Sequence, residues 1–177
     1  MGRVRPDTPK PMRPSYITKE GHARLLAEVE HLWRVRRPEV TRAVSEAAAL
    51  GDRSENAEYL YGKKMLREID RRVRFLRRRL DVLKVVEQLP DDRTCVRFGA
   101  WVRIQAAPGR RRGLRIVGPD ETDHAPHRIS VDSPMAKALL GRREGEAVAV
   151  TTPRGTTRWT VVAVAYGGPP RGDDGEE

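Results

Sequence analysis

The chain has 177 residues, 38% hydrophobic and 34% charged, which suits a small core plus an element with much exposed surface. A formal charge of +10 makes a polyanionic partner the first expectation. The single cysteine, Cys95, excludes an internal disulfide and a cysteine zinc cluster; His22, His31, His124 and His127 lack metal-ligand spacing, and no apolar run nears the roughly 20 residues of a membrane span. The start does not read as a signal peptide, so a cytoplasmic protein with no membrane contact is expected.

Residues 1–15, MGRVRPDTPKPMRPS, are proline-rich and basic and predict a disordered tail. A first domain is expected over 16–87. Thr18 is a natural N-cap, with Glu20 in the first helical turn. Leu26, Val29, Trp33, Val40, Val44 and Ala47 then recur at threes and fours, with a gap at Arg36. Pro38 removes a backbone donor, which predicts a kink near Arg34 to Pro38. Ala43, Ala47, Ala48 and Ala49 either let two helices approach closely or only reflect helix propensity.

A turn follows at LGDRSENAEY, Leu50 to Tyr59, with an acidic tip expected at 51–58. Beyond it Leu66, Ile69, Val73, Leu76, Leu80 and Leu83 repeat the rhythm in an arm read as about Asn56 to Val86. Val40 pairs with Leu66, Trp33 with Val73, Val29 with Leu76 and Leu26 with Leu80, all about a centre near Arg53. Two seams matched about one point predict an antiparallel helical hairpin. Arms of roughly 30 residues would reach about 45 Å. Arg36 falls opposite Asp70, so either the two pair across the defect or both lie outward in water. The second arm is strongly basic, from Lys63 and Lys64 to Arg77, Arg78 and Arg79. Its outer cations form either a phosphate-tracking stripe or a solvated face. Gly62 should cost about 1 kcal/mol of helix stability.

Residues 88–94, QLPDDRT, read as a linker, and the period then changes to two. Strands are predicted at 101–105, 114–118, 128–132, 147–152 and 157–165. One short helix, SPMAKALLG, starts with Ser133 as N-cap and Pro134 at its first position. The fold class is therefore α+β: a two-helix coiled coil, then an antiparallel sheet with one short helix over 95–167. Residues 168–177 predict a second disordered tail.

Asp52 and Glu55, three apart, support two compatible readings. They form a capping box for the second arm. They also place two carboxylates on one face, where they suit a hard cation such as Mg2+ but are too few to enclose it. A tip of this kind would complete a coordination shell begun in another protein.

The run LGDRSENAEY, then KK and REIDRRVRFL, resembles the bacterial Gre family of transcript cleavage factors. LWR, RPEV, FGAWV, RIVG and SVDSPMAKALLG extend the likeness over roughly residues 15 to 166 and point to its GreB branch. Leu60 and Gly62 depart from that branch, which usually has polar residues there.

The resemblance implies a C-terminal domain of FKBP-like type and a monomer that docks on RNA polymerase, beside its beta-prime subunit at the secondary channel. It implies stimulated endonucleolytic cleavage near the nascent RNA 3′ end in backtracked complexes, the polymerase being the enzyme. The family's acidic pair falls on Asp52 and Glu55, sharing Mg2+ with the polymerase site. Its docking segment falls on Asp132, Ser133 and Pro134, and its RNA-facing basic patch is placed on Arg71, Arg72 and Arg74. Two alternatives remain: a Gre-like binder that inhibits the polymerase without cleavage, and a protein that uses its basic arm directly on DNA or RNA.

Overall fold

The computed structural model describes residues 15–50, 56–122, 125, 127–153 and 155–170. The chain forms two compact units, residues 24–83 and residues 15–23 with 84 onward. The first is the hairpin. Helix α1 (Lys19–His31) runs through a π-helical turn (Leu32–Arg36) into α2 (Arg37–Ala49); α3 (Ala57–Leu80) returns. Thr18 is the N-cap as expected, its hydroxyl accepting from Gly21 N–H at 3.0 Å.

The expected kink takes the form of that π-turn. Pro38 cannot donate to the carbonyl of residue 34, and its ring crowds that carbonyl. The helix widens by one residue just before it, so Arg37 N–H reaches back to Leu32 O, while His31 and Arg37 keep helical dihedrals. The extra residue moves the seam. Leu25 is buried and Leu32 half-buried, whereas Leu26 and Trp33, expected inside, are 45% and 43% exposed. The guanidinium groups of Arg37 and Arg77 each lie over the Trp33 ring, 5.0 Å from its centre. Arg37, not Arg36, meets Asp70 at 2.9 Å; Arg36 turns to Glu39. Beyond the π-turn the expected seam is present. Val40, Ile69 and Val73 form the buried core, with Val29, Leu32, Val44, Met65 and Leu66 packed against it.

The second arm is shorter than expected. It stops at Leu80, and Leu83–Val86 forms strand β2, which pairs with β1 (Ser15–Thr18). Period three-and-four cannot distinguish a last helical turn from a short strand, and Ser15, expected in the tail, begins β1 instead. At 24 residues α3 spans about 36 Å.

The second unit holds a five-stranded sheet: β3 (Trp101–Ala106), β4 (Arg110–Val117), β5 (Arg128–Ser130), β6 (Ala147–Thr152) and β7 (Gly155–Ala165), in the order β5-β4-β3-β7-β6. All five predicted strands are present. The pairings are antiparallel except β4 with β5, which is parallel. Alternate residues Val102, Ile104 and Ala106 bury one face of β3 against Leu114, Ile116, Trp159 and Val161. Helix α4 (Pro134–Leu139) covers that face with Ala136 and Leu139.

Strand β1 and the first turn of α1 belong with this unit. Glu121, 1% exposed, sits in a 3-10 turn (Pro119–Glu121) and accepts from the backbone N–H of Thr18 and of Gly118, both at 2.9 Å, and from the Thr18 hydroxyl. No room remains for a side chain beside it: a Cβ on Gly21 would meet Glu121 Oε1 at 2.2 Å. Residues 88–94 have no regular secondary structure, and there Asp92 bonds Arg143 and Thr94. In the tail expected over 168–177, Pro170 O accepts from Arg103; residues 171–177 lie outside the described residues, as do 1–14 of the N-terminal tail.

Gly62 explains the closeness of the arms near their ends. It is buried, and a Cβ there would stand 2.4 Å from Val44 Cγ2. Val44 is stiff about its first torsion. Gly62→Ala should therefore destabilise the hairpin by about 1 kcal/mol, because overpacking of about 1–3 kcal/mol outweighs the helix-propensity gain of about 1. In a Val44→Ala background the same change should become stabilising, and urea unfolding of the four variants reads the reversal of sign.

Candidate functional site

The far end of the hairpin is closed by one asparagine. Asn56 is the N-cap of α3, in extended conformation, and its Oδ1 accepts from Tyr59 N–H at 3.0 Å. Its Nδ2 donates to Ala47 O on α2 at 2.8 Å. Leu50, the C-cap of α2, also donates its N–H to Ala47 O, at 3.2 Å. One side chain thus satisfies an orphan amide of one helix and bonds a carbonyl in the last turn of the other. Spacing alone points to Asp52 with Glu55 as the cap of the second arm; Asn56 occupies it. Asp52, Glu55 and the centre of the turn, Arg53, lie outside the described residues. Asn56 carries a signal that sequence reasoning could have used, since asparagine is among the best N-caps.

Beside this end lies the basic face of α3. The helix carries nine Lys and Arg against three Asp and Glu. Its buried side is set by Gly62, Ile69, Val73 and Leu76, so Lys64, Arg67, Arg71, Arg74 and Arg78, spaced by threes and fours, share the exposed side. Of the three cations expected from sequence, Arg71 and Arg74 are on this stripe. Arg72 is turned toward the first arm and grips Glu28 with two hydrogen bonds, at 2.7 and 3.1 Å. Glu28 neutralises its charge, so it adds less to the stripe than its neighbours. The apolar residues Leu50, Leu60 and Tyr61 are 79%, 51% and 64% exposed.

In the sheet unit Ser133 caps α4, its Oγ accepting from Ala136 N–H at 3.2 Å. Asp132 N–H donates to Ser130 Oγ at 3.1 Å. Asp132 and Pro134 are exposed, while Ser133 between them is half-buried. The three docking residues expected from sequence therefore form one contiguous segment at the start of α4. Among the described residues no group of three or more His, Cys, Asp or Glu could hold a metal, and no helix is long and apolar enough to cross a membrane.

Two family models match: "Transcription elongation factor, N-terminal" over residues 15–85 and "Transcription elongation factor, GreA/GreB, C-term" over residues 90–166. The chain is 58% identical over 166 residues to transcription elongation factor GreB of Pseudomonas aeruginosa, covering 94% of this chain and 98% of that protein. It is 55% identical over 152 residues to GreB of Yersinia pestis, covering 86% and 89%. A solved structure, the GreA factor homolog 1 protein of Thermus thermophilus, is 28% identical, covering 86% of this chain and 99% of that one, with a TM-score of 0.40.

The clasp makes a stability prediction. Asn56→Ala should cost about 1–2 kcal/mol, within the range for a lost N-cap. Asn56→Ser restores the cap but not the bond to Ala47 O, and in thermal unfolding it should fall between the unaltered protein and Asn56→Ala.

Proposed function

The chain belongs to the GreA/GreB family of transcription elongation factors, and on that premise we propose that it enters the secondary channel of RNA polymerase and stimulates cleavage of backtracked RNA by supplying Asp52 and Glu55. The observation that supports this reading is the Asn56 clasp. With the cap of α3 filled by Asn56, the two acids are not required to begin that helix. They are left for chemistry, on a turn whose flanks are held together.

The donor set suits Mg2+: carboxylate oxygens are its preferred ligands, and two of them leave most of the shell to the polymerase and to water. Asp52 and Glu55 would hold the ion jointly with the polymerase site; when bound, it would lower the pKa of a coordinated water and offset charge on the leaving oxygen. The chain's own part is to bring the carboxylates in at the end of a stiff arm, and to orient a water by accepting its proton in a hydrogen bond. Arg71 and Arg74 would contact the phosphates of the extruded RNA, while Asp132, Ser133 and Pro134 would dock on the polymerase beside beta-prime.

Replacing Asp52 and Glu55 together by alanine should lower cleavage of stalled, backtracked complexes by at least about 100-fold, the scale of a lost acid–base or ligand group. Polymerase affinity should change by no more than about 3-fold, a loss of under about 1 kcal/mol. Slowed extension without new short RNA from the unaltered protein would mark an inhibitor instead. Pro134→Arg should weaken polymerase binding about 10-fold or more, in keeping with a lost interface contact of about 1.4 kcal/mol, and unchanged binding would remove that segment from the interface.

A further inference from the structure

We propose that the groove on the exposed side of α3, lined by Glu68, Arg71, Arg72 and Phe75, binds one unpaired RNA nucleotide by stacking its base on Phe75. The identity of the strand rests on the function proposed above; the site itself rests on the geometry of the arm.

Phe75 is the starting point. Val73 and Leu76 beside it in the chain fill the seam, at 2% and 1% exposure, while Phe75 is 37% exposed. It is an aromatic ring left part-exposed on a helix face that is otherwise charged. The ring is held in place: Arg72 Cζ lies 5.7 Å from its centre, and Arg72 is itself fixed by the paired bonds to Glu28. The groove beside it measures about 330 Å³, at the lower end of small-ligand clefts (about 300–1,000 Å³).

The surroundings select the occupant. Lys64, Arg67, Arg71, Arg74 and Arg78 advance along the axis in steps of about 4.5–6 Å, a track for a phosphate backbone. Phe75 stands one turn beyond Arg71 and just short of Arg78, so a base turned off a strand on that track meets the ring. Stacking is tolerant of base identity because every base has a flat π-face. Glu68, the acid in the groove, can accept a hydrogen bond from an exocyclic amine of the base. An acidic peptide would satisfy the cations but leave the ring and Glu68 without a partner.

The test uses the full-length protein and two labelled RNA octamers of equal charge, one with normal bases and one abasic throughout, read by fluorescence anisotropy. The unaltered protein should bind the normal octamer about 10-fold or more tighter than the abasic one. Phe75→Ala should lose that preference while leaving abasic binding within about 2-fold, and Phe75→Tyr should restore it. Arg71→Ala should weaken both octamers equally and flatten their salt dependence. The proposal is overturned by no measurable binding, by equal affinity for the two octamers, by equal losses in Phe75→Ala, or by an octaglutamate peptide binding as tightly as the normal octamer. The Asp52→Ala, Glu55→Ala double variant should keep the base preference. A protein that keeps the preference but never stimulates cleavage therefore refutes the function above and not this site; one that cleaves without the preference refutes the site alone.

Discussion

Pro38 has no N–H to give, and the first arm of the hairpin is built around that missing hydrogen bond. A helix can break at such a point, or it can admit one more residue into the preceding turn. This chain takes the second course, with Arg37 N–H reaching Leu32 O. The register of everything before the turn follows. Leu25 and Leu32 turn inward and Trp33 turns outward, near two guanidinium groups; just after the turn, Arg37 pairs with Asp70. Because that ion pair is about one-third exposed on both sides, its own contribution is small, about 0–1 kcal/mol. The packing of Val40, Ile69 and Val73 stabilises the hairpin more, and the extra residue serves it by keeping one apolar stripe continuous across the proline.

Closeness at the other end has a different origin. Backbone-to-side-chain approach between the arms requires a residue without a Cβ, and Gly62 supplies it against Val44. A glycine inside an exposed helix would be a weakness. Against a neighbouring helix it is the condition for tight packing, and the Asn56 clasp completes it with hydrogen bonds to both arms. Gly62 therefore has a structural partner in Val44.

Much of this is legible in the chain. The hairpin follows from two seams matched about one centre, because burial in a two-helix seam needs residues three and four apart on both arms. The strands follow from period two, and Ser133 with Pro134 marks α4 correctly. What escapes has particular causes. A π-turn shifts the phase of the residues before it by one and leaves no composition signal, so periodicity points to Leu26 where Leu25 is buried and to Trp33 where Leu32 packs. The short pair β1 and β2 is made by residues 65 or more apart, a long-range choice that local periodicity does not contain. The buried Glu121 is equally silent, since its partners include the backbone amides of Thr18 and Gly118. Spacing and resemblance name the acid pair, but not the asparagine that caps α3.

The proposed function joins two opposite signs of charge on one short hairpin, and the arrangement has a physical order. Carboxylates alone repel a phosphate backbone, so Asp52 and Glu55 can act on RNA only where a divalent cation stands between them and it. The exposed cations of α3 have the reverse preference and need no ion. On the proposed function, a strand drawn along the arm by Arg71 and Arg74 would be held at positions where charge attracts it, and would meet the acids only where a host active site supplies the metal. Free nucleic acid offers the cations a partner but leaves the acids opposed. On the proposed function, binding to bare RNA would be weak and salt-sensitive, and the chemistry would be confined to the polymerase, which would supply the missing ligands.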